Sequence, residues 1–137
     1  MRTVVFADTS ALLPLLNADD DDYGMALSAW DRLEQKRARI VTSNYVLLET
    51  VALAQKRLGF DAVRDFLENI VPLFEVEWVD RDIHDAAARE LVAVRRRKLS
   101  LVDFVSFHVM RRLGVQLALA FDSHFGEHGF DYVSARH

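Results

Sequence analysis

The chain has 137 residues, of which 51% are hydrophobic, so it is long enough for a single domain over residues 1–137 with a substantial core. Its formal net charge of −4 gives no global sign of nucleic-acid binding, although a local basic patch would suffice for that. The absence of cysteine excludes disulfides and thiolate metal sites. The apolar run after Met1-Arg2-Thr3 is too short for a signal-peptide core or a membrane span, so we expect a soluble cytoplasmic protein.

Apolar runs and helical periodicities predict an alternation of strands and helices along the chain. The first half is predicted to contain a strand at 3–8, a short helix capped by Thr9-Ser10, a helix at about 23–37, a strand at 40–42, and a helix that Ser43 or Asn44 caps and that runs to Leu58. A helix at 61–70 and a strand at 74–79 follow. The last part is predicted to contain a helix from Asp80 or Asp82 to the basic run at 95–98, a helix from Ser100 to Leu113, a strand at 117–121 and a last strand at 132–134. This order favours an α/β fold with a mostly parallel sheet covered on both faces.

Two carboxylates directly follow apolar runs that are typical of buried strands. Asp8 follows the run at 4–7, and Asp122 follows the run at 117–121. Open α/β sheets bind their ligands at the carboxyl ends of strands, so both acids are candidates for a functional site. Each alone has a structural alternative, because an acid after a strand can also cap the next helix.

Two further carboxylates lie inside apolar helical patterns. Glu49 has no Lys or Arg three or four residues away, so an ion pair within the helix is not available to it. Such a carboxylate must bend out to water, find a distant partner, become protonated or bind a cation. Asp103 lies three residues after Ser100 in a pattern that resembles a capping box, and an acid in a first turn can also face a ligand.

Four carboxylates that converge would need a counter-ion. Two full charges about 5 Å apart repel by roughly 3 kcal/mol at an effective dielectric constant of about 20. Oxygen ligands in a chain without cysteine favour Mg²⁺ or Mn²⁺ over Zn²⁺. The sequence therefore predicts a divalent-metal site, in which the acids approach one another without each being paired with its own Arg or Lys.

Four stretches of the chain resemble the PIN-domain family, and specifically the VapC-type toxin ribonucleases. They read FADTSAL at 6–12, TSNYVLLET at 42–50, LSLVDFVSF at 99–107 and FDSHF at 121–125. Together they run nearly from end to end of the chain in the family's order, and each contains one of the four acids. The set in order is specific, whereas Asp-Thr-Ser alone is not.

The resemblance implies a three-layer α/β/α domain with a parallel sheet of four or five strands. It also implies an endoribonuclease that depends on Mg²⁺ or Mn²⁺, leaves 5′-phosphate and 3′-hydroxyl ends, usually dimerises and is silenced by a cognate antitoxin. The acids of the family's site correspond to Asp8, Glu49, Asp103 and Asp122. One or two metal ions would lie between the three aspartates, and Glu49 would complete the site directly or through a water.

Three polar residues are candidates for a supporting role. Ser10 is placed to hydrogen-bond a metal-bound water or a phosphate oxygen, and capping of the first helix explains it equally well. Asn44 has the same two interpretations, with capping favoured. Ser123 stands where related sequences often have a basic residue after the last acid. His124 is two residues past Asp122, but we interpret it as an ordinary surface or core histidine.

An acidic pocket repels RNA, so some positive charge must guide the backbone. The candidates are Arg95, Arg96, Arg97 and Lys98, followed by Arg111 and Arg112. For any one of them, a solvated helix end or surface is the favoured interpretation.

Two other classes of function remain open at this stage. A receiver-type phosphorylated signalling domain also places acids at strand ends, but it normally has an acidic pair after the first strand and a lysine after the last, and both are missing here. A PIN domain could also bind RNA or protein without cutting it, or process RNA without an antitoxin.

Overall fold

Strands and helices alternate along the computed structural model, which describes residues 2–133. The elements are β1 (Val4–Ala7), α1 (Thr9–Leu15), α2 (Tyr23–Gln35), β2 (Arg39–Ser43), α3 (Asn44–Arg57), α4 (Phe60–Asp65), β3 (Glu75–Glu77), α5 (Arg81–Val94), α6 (Leu101–Leu113), β4 (Leu117–Leu119), α7 (His124–Glu127) and β5 (Asp131–Val133). Helix α4 continues into a π-helical turn at Phe66–Ile70 and a 3₁₀ turn at Val71–Leu73.

The sheet has five parallel strands in the order β3-β2-β1-β4-β5. In the central strand, Phe6 pairs with Val41 on one side and with Ala118 on the other. The consecutive residues Val5, Phe6 and Ala7 are all fully buried, so both faces of the sheet are covered. This confirms the predicted α/β/α fold and fixes the number of strands at five.

The strand order reverses between β1 and β4. From β1 the chain proceeds outward to β2 and β3, and it then returns to the other side of β1 to add β4 and β5. The connections leave the carboxyl ends of β1 and β4 in different directions, which opens a crevice there. The crevice lies where Asp8 and Asp122 were predicted to meet.

Helix α6 is the most deeply buried helix that carries a candidate site residue. Phe104 and Phe107 on this helix are fully buried, and the Phe107 ring packs edge-on against Phe125 at 5.3 Å and parallel to Phe130 at 5.8 Å. Burial of each such ring contributes roughly 1.5–3 kcal/mol. The core therefore holds α6 firmly and fixes the place of its amino-terminal turn.

Several predicted boundaries were wrong. The basic run does not end α5 as a helix: Arg95 adopts a left-handed conformation at φ 58°, which ends the helix at Val94 and leaves the following residues in a loop. The predicted helix at 61–70 changes hydrogen-bonding pattern at Phe66, and the predicted strands at 74–79 and 117–121 are only three residues long. The last strand begins at Asp131, and its predicted end, Ser134, lies outside the described residues.

The predicted helix caps were mostly right. Ser43 caps α3 by accepting the N–H of Val46, and Asp80 caps α5 by accepting the N–H of Ile83. Helix α1 is capped by Asp8 and not by the predicted Thr9-Ser10 pair.

None of the helices in residues 2–133 has the length and hydropathy that a membrane crossing requires.

Candidate functional site

An acidic cleft of about 430 Å³ lies at the carboxyl ends of β1 and β4. All four carboxylates that the sequence singled out line it, although they come from four separate parts of the chain: Asp8, Glu49, Asp103 and Asp122. The fold therefore brings together what the sequence only suggested.

Asp8 is the most buried of the four acids, with 4% of its surface exposed. Its N–H donates to the carbonyl of Leu119 at 3.0 Å, which joins it to β4, and its Oδ2 accepts the N–H of Ser10 at 3.0 Å. Burial raises the pKa of Asp8 from 3.8 to about 6, against the opposing effect of hydrogen bonds from Ser10, and the negative charges of Asp103 and Glu49 add to the rise.

Glu49 points into the cleft from α3 and is half-buried. Burial raises its pKa, a hydrogen bond from Thr9 partly opposes this, and the charge of Asp103 adds to it. The Thr9 hydroxyl also hydrogen-bonds that of Thr50 at 2.9 Å inside the protein, so α1 and α3 are joined directly behind the carboxylate. The hydrogen bond from Thr9 on α1 therefore helps to hold Glu49 in place, and helical periodicity alone does not predict this contact.

Asp103 is both a capping residue and a cleft residue, as the sequence allowed. Its N–H donates to Ser100 Oγ at 3.1 Å, and its Oδ2 accepts the N–H of Ser100 at 2.9 Å, which completes the predicted capping box. Burial raises the pKa of Asp103, the hydrogen bonds with Ser100 lower it, and the charge of Asp122 raises it further. The box leaves the carboxylate in the lining of the cleft.

Asp122 is held by the short segment between β4 and α7. Its Oδ1 accepts the N–H of His124 at 3.0 Å, and the same oxygen is 3.0 Å from His124 Nδ1. His124, which we interpreted as an ordinary histidine, is thus largely buried against an acid of the cleft.

Ser10 joins the two strand ends that carry acids. Its Oγ accepts the N–H of Phe121 at 3.0 Å, across a sequence separation of 111 residues. The residue lines the cleft, and its backbone N–H holds Asp8. The capping interpretation is wrong for Ser10, because Asp8 caps α1.

The acids have no Arg or Lys partner within residues 2–133, and His124 is the basic side chain that contacts one of them, Asp122. None of the four is within 4.0 Å of an Arg or Lys nitrogen, as the predicted metal site requires. No three His, Asp or Glu side chains in this part of the chain are close enough together to hold one ion as they stand. The acids surround the cleft without touching, which is the arrangement that their mutual repulsion favours. Four oxygen donors around one cleft suit a hard divalent ion such as Mg²⁺ or Mn²⁺.

Some of the candidate residues lie away from the cleft. Asn44 begins α3, and its Oδ1 accepts the N–H of Val79 at 2.8 Å, so it fixes the segment after β3. Ser123 is exposed and is not among the residues that line the cleft. Within the basic run, only Lys98 lines the cleft, whereas Arg95, Arg96 and Arg97 line a separate surface groove.

The sequence analysis missed one charged residue of each sign in the cleft, Arg57 and Asp20. Arg57 follows Glu49 and Leu53 at successive intervals of four residues, and all three line the cleft. That spacing places them on one face of α3 and could have identified Arg57 from the sequence. Asp20 had no comparable signal, because it belongs to an acidic loop without periodicity.

Comparison with known proteins decides the family. The profile of the PIN domain matches residues 5–131. The chain belongs to the PIN-domain family. This PIN domain is 38% identical over 128 residues to the 23S rRNA-specific endonuclease VapC20 of Mycobacterium tuberculosis, with 93% of this chain and 95% of the relative covered. The predicted resemblance to VapC-type proteins is therefore confirmed, and the receiver-type alternative loses its support.

Solved structures agree with this assignment. The crystal structure of VapC20, described as a sarcin-ricin loop cleaving toxin, matches with a TM-score of 0.82 and 37% identity over 92% of this chain and 95% of that chain. FitAcB from Neisseria gonorrhoeae matches with a TM-score of 0.71 and 12% identity over 97% of this chain and 99% of that chain. DNA-bound VapBC from Salmonella typhimurium matches with a TM-score of 0.69 and 15% identity over 98% and 99%. The last two share the fold with this PIN domain.

Proposed function

We propose that this PIN domain is an endoribonuclease that hydrolyses RNA phosphodiester bonds in the acidic cleft, and that it is the toxin of a type II toxin–antitoxin pair. The observation that carries the proposal is the convergence of four carboxylates, from four parts of the chain, around one cleft in which no Arg or Lys of residues 2–133 pairs with them. The extended identity to a relative named as an rRNA endonuclease supports the same chemistry.

The acids in the proposed enzyme hold Mg²⁺ or Mn²⁺. Asp8, Asp103 and Asp122 would hold the ion, and Glu49 would complete the site directly or through water. A bound divalent ion supplies an activated water and offsets charge on the leaving oxygen. In the balanced reaction, the water oxygen bonds to phosphorus while the bond from phosphorus to the 3′ oxygen breaks, and a proton passes to that oxygen. The products carry 5′-phosphate and 3′-hydroxyl ends.

Ser10 has a positioning role in this proposal. The hydrogen bonds that it makes to Asp8 and to the N–H of Phe121 join the two strand ends from which Asp8 and Asp122 project. Ser10 thereby keeps two metal-binding carboxylates at a fixed separation.

The partners in the proposal are those of the relatives. The substrate is an RNA, with 23S rRNA as the first candidate because the similar VapC20 is named for it. A cognate antitoxin, as in the VapBC complexes, silences the toxin, and the toxin itself is a homodimer in the cytoplasm. A small upstream reading frame that encodes a DNA-binding protein would support this setting.

Neutralising single acids tests the proposal. We expect Asp8→Asn and Asp103→Asn each to lower RNA cleavage in Mn²⁺ by roughly 100-fold or more, because each removes a charge on which the reacting centre depends. Asp21→Asn is the matched control, since Asp21 is exposed and does not line the cleft. Cleavage of 23S rRNA is followed on gels, and the chemistry of the product ends is determined. Activity near that of the wild type in either variant would remove that acid from the scheme.

A further inference from the structure

The acidic cleft contains two cations that make no ion pair with any other residue of the described chain. Arg57 ends α3, and Lys98 lies in the loop between α5 and α6. Both are exposed. By contrast, Arg96 is paired with Glu127 at 3.2 Å and Arg112 is paired with Asp80 at 2.6 Å. The two cleft cations thus remain available to a ligand.

Arg57 is held at a fixed distance from the acids by its helix. It lies eight residues after Glu49 on the same face of α3, and a helix advances about 12 Å over that interval. Leu53 lies between them and also lines the cleft. Arg57 and Glu49 make no ion pair with each other, and the wall of the cleft runs from an acid at one end to a basic residue at the other.

Lys98 is held by the structure on its carboxyl-terminal side. Leu99 is 2% exposed, and its N–H donates to the carbonyl of Arg96 at 3.1 Å. Ser100 then begins the capping box that contains Asp103. The backbone at Lys98 is thus held five residues before Asp103, and Lys98 lines the cleft from an element different from the one that carries Arg57.

The neighbours of both cations lie elsewhere. Lys56 is exposed on α3 directly before Arg57, and Arg97 is exposed directly before Lys98, but neither lines the acidic cleft. Arg97 lines the separate groove beside Leu91 and Val92. The basic character of the cleft therefore depends on individual side chains and not on the basic run as a whole.

We propose that Arg57 and Lys98 contact RNA phosphates on either side of the reacting bond and position the strand across the four acids. This inference rests on the proposed nuclease function. The cleft is lined by five carboxylates, including Asp20, against these two cations. An RNA backbone that enters such a cleft is repelled by the acids, so its phosphates need cationic contacts. Arg57 and Lys98 supply these contacts from two different elements.

Charge-neutralising variants with adjacent controls test the inference. The variants are Arg57→Gln, Lys98→Gln and the double variant, and the controls are Lys56→Gln and Arg97→Gln. Binding of a fluorescently labelled single-stranded RNA is measured by anisotropy over a series of KCl concentrations, with EDTA present so that no cleavage occurs. The plot of log K against log salt has a negative slope, and each lost phosphate contact decreases the magnitude of that slope by about 0.7. We expect that decrease for each cleft variant, about twice that for the double variant, and none for the controls.

Steady-state cleavage in Mn²⁺ gives a second readout. We expect each cleft variant to raise KM with little change in kcat, because a phosphate contact away from the reacting bond is made equally in the ground and transition states. A wild type that cleaves RNA, with an unchanged salt slope in the double variant, would overturn this inference and leave the proposed nuclease intact. Equal decreases in the controls would overturn it as well. A wild type that neither binds nor cleaves RNA would overturn both proposals.

Discussion

Asp8 shows what the fold imposes on a single residue. Burial raises its pKa from 3.8 to about 6. Ionising this carboxyl therefore costs about 3 kcal/mol more in the folded protein than in the unfolded chain. Because the folded pKa lies above the unfolded one, folded protein binds the proton more tightly. Ionisation of Asp8 therefore destabilises the fold progressively as the pH rises from about 4 through 6, and it has no such effect below that range.

The variant Asp8→Asn should therefore be more stable than the wild type at neutral pH when metal is absent. Asparagine caps a helix as well as aspartate does, so the hydrogen bond to Ser10 is retained while the charge is removed. We expect the free energy of unfolding in EDTA to rise by up to about 3 kcal/mol at pH 7.5. The gain should shrink as the pH falls through 6 and vanish near pH 4.

Urea denaturation across this pH range measures the effect. Asp21→Asn serves as the comparison, because Asp21 is exposed and its substitution should change stability little at any pH. A gain for Asp8→Asn that does not depend on pH would show that ionisation of Asp8 is not its cause.

At the scale of the element, α6 depends on its amino-terminal cap and on its buried apolar face. The capping box satisfies the N–H groups of Ser100 and Asp103, and Asp103 is at the same time a cleft residue. The stability of this helix and the orientation of the acid are therefore coupled.

Two serine substitutions on this helix should have opposite results. Ser100→Ala removes the cap and should lower the free energy of unfolding by about 1 kcal/mol. Ser106→Ala is the matched control in the interior of the same helix, where the buried hydroxyl has no hydrogen-bond partner within the described chain. Its removal should be neutral or stabilising. Thermal or urea unfolding measures both, and equal losses would argue against the assigned role of the cap.

At the scale of the whole molecule, the cleft stores electrostatic repulsion that a cation can relieve. Burial raises the pKa values of Asp8, Glu49 and Asp103, and neighbouring acids add to each rise. Since Asp8 caps α1, and Glu49 and Asp103 belong to α3 and α6, a ligand that neutralises them stabilises the packing of several elements together.

We accordingly expect Mn²⁺ to raise the melting temperature of the wild type. An ion at about 100 times its Kd contributes about 2.7 kcal/mol. The increase should be lost in Asp103→Asn. It should also weaken below about pH 6, because protons then compete with the metal ion for the carboxylate of Asp8. Differential scanning fluorimetry with Mn²⁺ and with EDTA measures this. An equal increase in Asp103→Asn would place the ion elsewhere.

The sequence by itself determined the features that depend on local interactions. The buried strand β1, the caps at Ser43 and Ser100 and the acids after the strand-like runs were all correctly predicted, because apolar patterning and capping act over a few residues. The resemblance added the family and the four acids as one set. The end of α5 at Val94 could not be predicted, because helix termination there depends on the left-handed conformation of Arg95.

Only the tertiary structure decided how the site is completed. It joined Ser10 to Phe121 and gave Asn44 a partner after β3. It also placed Lys98 in the cleft and the three arginines before it in a separate groove. Each of these contacts joins parts of the chain that sequence spacing does not relate, because helix packing on the sheet sets which side chains meet.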